Sequence, residues 1–227
     1  MKLTYHGQST FIVEDGEHRI IIDPFLDGNP KADIKAKDVK VEAVLLTHGH
    51  GDHTADAEKI VRANDAIIVA PNELAGYYAR KGLKTHPLHI GGAHQFPFGK
   101  VKLTLAFHGS GMETEDGMKY VGPPTGILLT MSGKTFYHAG DTGLFGDMKI
   151  IGELNNINVA ALPIGDNFTM GPEDAFIAAK WIQAKNVIPM HYNTFPLIEQ
   201  DGEAFVNNLN ENHLHGVYLT PGESFEV

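Results

Sequence analysis

The chain has 227 residues, no cysteine, 18 Lys and Arg against 28 Asp and Glu, and a formal net charge of −10 at pH 7. Without thiols there is neither a disulfide framework nor a thiolate metal site, so any transition metal has to be held by nitrogen and oxygen. No stripe of Lys or Arg could displace counterions from a phosphate backbone, which argues against long nucleic acid as a partner; a small anionic substrate stays open, because a bound cation would reverse the local field.

The first residues, MKLTYHGQSTFIVEDG, contain no apolar stretch of the signal-peptide kind. No later run reaches the roughly 20 apolar residues of a membrane span, so a cytoplasmic protein without a membrane partner is expected. KLTYHG, STFIVED and RIIIDP read as an antiparallel set, the last two joined through Asp15-Gly16. VEAVLLTH (41 to 48) is too apolar to alternate and reads as a strand covered on both faces, delivering its end to the run HGHGDH. Thr54 then suits the cap of a helix with Ala57, Ile60 and Val61 on one face, followed by the strand AIIVA. Residues 72 to 81 read as a helix ended by Gly82. The strand VKLTLAFH and a hairpin around Ser132-Gly133, in GILLTMSGKTFYHAGD, come next. The last third alternates: NVAALPIGD, a helix opened by Gly171-Pro172, NVIPMHY, a helix from about residue 201, and GVYLTPGESFEV. Strand groups followed twice by β-α-β units, with no linker between them, predict one α/β domain over residues 1–227. Its two packed sheets, with helices outside, make a four-layer αββα sandwich.

His48, His50, Asp52 and His53 crowd into six positions. Lone histidines are commonly surface or satisfied core residues, and HPLH (86 to 89) and HLH (213 to 215) fit that description. The run does not, because a tight loop after an apolar strand forces its side chains together with no cation to compensate them. Neutral imidazole and carboxylate suit zinc, iron or manganese. If the chain is extended there, His48 and His50 share a side while Asp52 and His53 address a neighbouring position, so one loop can seed two sites. Further donors stand at other strand ends: His108 in LAFHGSG, Asp141 in FYHAGDTG and His191 in IPMHYNTF.

HGHGDH, a lone downstream histidine, HAGDT and a final strand-end histidine, in that order, resemble the metallo-β-lactamase superfamily over nearly the whole chain. MGPEDA followed by VIPMHYNTF is similar to small metal-dependent hydrolases related to ascorbate-6-phosphate lactonases. The resemblance implies that His48, His50 and His108 bind one metal, that Asp52, His53 and His191 bind another, and that Asp141 bridges them. It also implies that Asp23 steadies the histidine loop by hydrogen bonds, although an Asp before Pro24 also suits a turn. His138 is either a hydrogen-bond donor behind the ligands or a packed strand residue, and His6 is left outside the site. The chain departs from the antibiotic-degrading members, which carry a cysteine in the second site. It departs too from flavodiiron relatives, which have Glu where His50 stands and a fused flavodoxin domain.

Such a ligand set implies a hydrolase in which a hydroxide bridging two divalent ions, Zn2+ or Mn2+ in preference to iron, cleaves a small ester, lactone or phosphoester. Asp52, besides binding metal, would orient the nucleophile or handle its proton. Ser110, between Gly109 and Gly111, and Asn193 and Thr194 after the last ligand are candidate substrate contacts. The Gly-rich stretch 109–126 is either a flap or a plain surface loop. Two other classes remain: an iron-dependent oxidoreductase of the persulfide-oxidising kind on the same fold, and a non-catalytic metal-binding module. An open coordination position argues against the second.

Overall fold

The computed structural model describes all of residues 1–227. Its first sheet begins with β1 (Lys2–Tyr5), β2 (Phe11–Asp15) and β3 (His18–Ile22), antiparallel as expected. Asp15 pairs with His18, so the turn residues are Gly16 and Glu17, one position beyond the expected dipeptide. Gly16 takes the positive φ of +61° that the tight reversal requires. β4 (Ala43–Leu45) continues the sheet in parallel, and α1 (Gly51–Thr54), α2 (Ala57–Asn64), β5 (Ile67–Pro71), α3 (Asn72–Arg80) and β6 (Thr85–Leu88) follow.

The second sheet takes β7 (Ala93–Phe96) and β8 (Gly99–Leu105), then, after a separate hairpin of β9 (Gly111–Thr114) and β10 (Gly117–Tyr120), β11 (Thr125–Met131) and β12 (Lys134–His138). α4 (Met148–Leu154), β13 (Val159–Pro163), α5 (Pro172–Ile182), β14 (Asn186–Met190), α6 (Gly202–Glu211) and β15 (Ser224–Glu226) complete the chain. The strand orders are β15-β1-β2-β3-β4-β5-β6 and β14-β13-β12-β11-β8-β7.

Side-chain alternation shows why this is a sandwich covered on its outer faces. Phe11, Val13, Ile20, Ile22, Ala43, Leu45 and Val69 point to the core between the sheets. Their neighbours Ile12, Ile21, Val44 and Ile68 point the other way, under Ile60, Val61, Leu74 and Tyr78 of α2 and α3. Each strand buries both faces, which is why its sequence reads as a continuous apolar run. On the second sheet Ala175, Ala178, Ala179 and Ile182 of α5 do the covering. The layers are therefore αββα. No helix is long and apolar enough to cross a membrane.

One local expectation is corrected. Thr54 does not cap α2: it is the last residue of α1, its N–H and its hydroxyl both donating to His50 O, at 3.1 and 3.0 Å, and α2 starts afresh beyond Asp56. Within the stretch 109–126, expected to be either a flap or a surface loop, residues 111–120 form a regular hairpin, its foot tied by Val121 N–H to Ser110 O at 3.1 Å.

Strand direction sets the working rim. β3, β4 and β5 run parallel, as do β12, β13 and β14, and β8 is antiparallel to β11 and hence co-directional with β12. The loops leaving their C-terminal ends gather at one edge of the sandwich, where ligand sites of α/β sheets commonly form.

Candidate metal centre

Asp23 leaves β3, the HGHGDH loop leaves β4, His108 leaves β8, Asp141 leaves β12 and His191 leaves β14. The structure brings the seven expected ligands together. His48, His50, His108 and Asp141 form one group, and Asp52, His53, Asp141 and His191 another; in each the donor atoms lie within 4.8 Å of one another. Asp141 belongs to both. Its Oδ2 is 3.0 Å from His191 Nε2 and 3.4 Å from His108 Nε2, and its Oδ1 is 3.2 Å from His53 Nε2.

Hydrogen bonds decide which nitrogen faces inward. Asp23 Oδ1 accepts from Thr47 N–H at 2.8 Å, and Oδ2 accepts from the Thr47 hydroxyl at 2.6 Å and from His53 Nδ1 at 2.8 Å. With its one proton given to Asp23, the Thr47 hydroxyl accepts from His48 Nδ1 at 2.9 Å. Both rings thereby turn Nε2 into the cluster, where a proton or a metal can sit on it. His50 is turned the other way: its Nδ1 lies 3.0 Å from His48 Nε2 and 3.2 Å from His108 Nε2.

These donors fit a cation. His53 Nε2, His191 Nε2 and Asp141 Oδ1 are buried without a hydrogen-bond partner, and converging imidazole nitrogens repel unless a proton or a metal lies between them. Asp23, His48 and His53 form a third close group of donor atoms. The inward hydrogen bonds of Asp23 already use its oxygens, so it supports the ligands instead of adding one.

The two groups differ in proton demand. Burial pushes His48 well below the ordinary imidazole range, helped by the charge on His53, and burial also lowers His50 and His108. Burial acts the same way on His53 and His191, but the carboxylates of Asp141 and Asp52 overcome it. They hold His53 well up and His191 up to about 9. The two carboxyls sit low despite burial, because His53 and His191 face them. Proton affinity is thus lowered for the rings on one side of the cluster and raised for those on the other. The His191 contribution to metal-free stability is complete below its ordinary value of 6.5 and disappears as pH rises through about 9. At pH 7 a divalent cation entering the His48, His50 and His108 group should release few protons, whereas one entering the group with His53 and His191 should displace theirs. Calorimetric titration in two buffers of different ionisation enthalpy measures this, and equal release for both equivalents would contradict it.

Other expected site residues are placed differently. Ser110 is buried and its Oγ accepts from Gly49 N–H at 3.1 Å, so it braces the loop that carries His48 and His50 and does not line the cavity at the cluster. Asn193 lines a separate surface cavity, and its Oδ1 accepts from Gln200 N–H at 2.8 Å. Thr194 is buried beside it and does not line the cavity at the cluster. His138 reaches the centre only through backbone: Nε2–H donates to Ser9 O at 2.8 Å and Nδ1 accepts from Gly140 N–H at 3.2 Å, next to Asp141. His6 pairs with Asp33 at 2.7 Å, away from the ligands.

Three residues were missed. Gln8, at φ +52°, donates from Nε2 to Asp52 Oδ2 at 2.7 Å, while its carbonyl accepts the His191 N–H at 2.6 Å. It ties the two acid- and imidazole-bearing loops together; the polar triplet Gln8-Ser9-Thr10 between two apolar strands was the available signal. Phe168 and Phe195 line the cavity of about 320 Å³ at the cluster, and both follow ends of strands on the working rim.

An αββα frame whose strand tips gather five imidazoles and two carboxylates into overlapping groups defines a protein of the metallo-β-lactamase fold. In agreement, residues 18–192 match the family described as Beta-lactamase superfamily domain. Within it, the chain belongs to the UPF0173 metal-dependent hydrolases. It is 60% identical over 229 aligned residues to a UPF0173 metal-dependent hydrolase of Bacillus cereus, and 58% identical to UPF0173 metal-dependent hydrolase YtkL of Bacillus subtilis; each alignment covers 100% of both chains. Among solved structures, Igni18, a metallo hydrolase from Ignicoccus hospitalis, has 38% identity and a TM-score of 0.90 over 100% of this chain and 98% of that one. A possible metal-dependent hydrolase from Veillonella parvula, 19% identical with a TM-score of 0.79 over 100% of this chain and 99% of that one, shares the fold.

Proposed function

We propose that this metal-dependent hydrolase works with two divalent cations, Zn2+ or Mn2+, and cleaves a small ester, lactone or phosphoester. The observation that carries the reading is Asp141, one buried carboxylate common to two sets of converging donors. His48, His50 and His108 would hold one ion, and Asp52, His53 and His191 the other, with Asp141 between them. Bound there, the ions would supply an activated water at neutral pH, by lowering its pKa towards ~7, and positive charge for the oxyanion that develops during attack.

The chain's own groups do the rest. Asp23 and Thr47 keep the protons of His53 and His48 on Nδ1. Gln8 donates to Asp52 Oδ2, the oxygen that lies 3.4 Å from His191 Nε2 and 3.6 Å from His53 Nε2, and so fixes the carboxylate at the cluster, where it would orient the attacking water or handle its proton. The 320 Å³ cavity suits a small molecule.

The test is metal-reconstituted protein against a panel of lactones, thioesters, phosphomonoesters and phosphodiesters. Hydrolysis of at least one class is expected, abolished by a chelator and restored by Zn2+ or Mn2+, without oxygen uptake. Two bound equivalents with no hydrolysis, or oxygen consumption with bound iron, would overturn the proposal.

A further inference from the structure

Apart from the candidate ligands, only Phe168 and Phe195 line the cavity at the cluster, and no Lys or Arg does. Both rings are open to solvent, Phe168 at 52% and Phe195 at 38%, and Phe107, beside His108, is 61% exposed. Exposed aromatic rings around a concave polar centre mark a place that an apolar ligand covers.

Their backbones are held firmly. Asp166 N–H bonds Met170 O at 3.0 Å and Met170 N–H bonds Thr142 O at 2.9 Å, closing a tight loop that turns Phe168 outward. Phe195 stacks on Phe25 with ring centroids 6.2 Å apart, and its carbonyl accepts the Ile198 N–H at 3.0 Å. Phe107 N–H bonds the Thr142 hydroxyl at 2.9 Å and its ring lies 5.5 Å from that of Phe145. The rings are displayed by hydrogen-bonded loops at the ends of three strands of the second sheet or just beyond them.

The geometry points to a substrate class: a neutral ester, thioester or lactone whose carbonyl lies at the cations and whose uncharged aryl or alkyl flank packs between Phe168 and Phe195. This rests on the hydrolase reading above and narrows it away from phosphorylated compounds. An anionic group on the flank would leave water for an aromatic wall with no cationic side chain to receive it, which is unfavourable. Each methylene of an alkyl flank, by contrast, gains roughly fourfold in binding when removed from water.

The experiment uses full-length protein loaded with Zn2+ and the p-nitrophenyl esters of acetate, butyrate and hexanoate, with the p-nitrophenyl monoester of succinate and p-nitrophenyl phosphate as charged members. Expected is a rise in kcat/KM from acetate to hexanoate of at least about tenfold, the gain from burying about two of the four added methylenes, and up to about 250-fold if all four are buried, with the succinate ester below butyrate and the phosphate slowest. The Phe168→Ala/Phe195→Ala variant should flatten the chain-length series while binding the same two equivalents of zinc. A flat series in the wild type, a preference for the succinate ester or the phosphate, or an unchanged slope in the variant would overturn the inference and leave the hydrolase reading standing. So would a dimer in solution that buries both rings against a second copy of the chain. Inactivity on every ester and phosphoester of the wider panel, with zinc bound, would instead remove the hydrolase reading itself.

Discussion

Asp141→Asn should reduce hydrolysis by roughly a thousandfold or more, about 4 kcal/mol of transition-state stabilisation, and lower bound metal from two equivalents to one or none. Asp141 is the only carboxylate present in both donor groups. An amide of the same size offers one neutral oxygen where the two proposed cations would need a shared anion. The residue also balances the buried charge of its surroundings, since its carboxylate is the largest of the influences, with Asp52, that hold His53 and His191 above the ordinary imidazole range against burial. In the variant both rings should titrate lower, so the proton release that accompanies loading at pH 7 shrinks. The fold should persist, because Asp141 lies beyond the end of β12 and the two sheets are held by strand pairing and the apolar core. Inductively coupled plasma mass spectrometry and far-UV circular dichroism on the same preparation check both halves of the prediction. A variant with two equivalents of metal and wild-type rate would mean that the acid does not bridge.

Asp23→Asn should have the next largest effect, through residues it touches rather than through any contact of its own with substrate. Metal affinity is expected to fall about 10- to 100-fold, the range found when a partner behind a ligating histidine is removed. Stability should drop by about 1–3 kcal/mol as buried donors lose their acceptors. Asp23 has φ +47°, a left-handed conformation that Asn accepts readily, so the backbone is not what the substitution disturbs. Its three accepted hydrogen bonds are. Thr47 N–H is a donor only and will keep the Asn oxygen, which turns the NH2 group towards the Thr47 hydroxyl and His53 Nδ1. His53 must then carry its proton on Nε2, the nitrogen that should bind metal. Calorimetric affinity and thermal unfolding of the metal-free protein separate the two losses, and unaltered affinity would show that Asp23 is no more than the start of a turn at Pro24.

Much of the frame was legible in the residues. The β-branched and aromatic runs in STFIVED and RIIIDP, the apolar runs of β5 and β13, Gly171-Pro172 at the start of α5 and Asp201 before α6 all act locally, through side-chain type or a cap within a few residues. β6 and β7 were not legible, because THPL and AHQF have weak strand propensity and exist as strands through pairing with β5 and β8. The hairpin at 111–120 was missed for a similar reason: GMETEDGMKY is charged and mostly exposed, with little apolar alternation to mark it. Thr54 failed as a cap since the turn closing on His50 O is part of the ligand loop, and that loop is shaped by Asp23, thirty residues earlier.

The ordered donors HGHGDH, His108, Asp141 and His191, their places at strand ends, and the absence of any thiol are properties of the chain itself, since ligand chemistry depends on residue type and strand ends on local apolar periodicity. Tertiary structure alone decided which nitrogen of each ring turns inward, that Gln8 holds Asp52, that Ser110 supports Gly49 while Phe168 and Phe195 face the cavity, and that one acid is common to both donor groups. Those outcomes depend on hydrogen bonds and approach angles between segments far apart in sequence, and strand registers in two sheets set them only when the whole sandwich has closed.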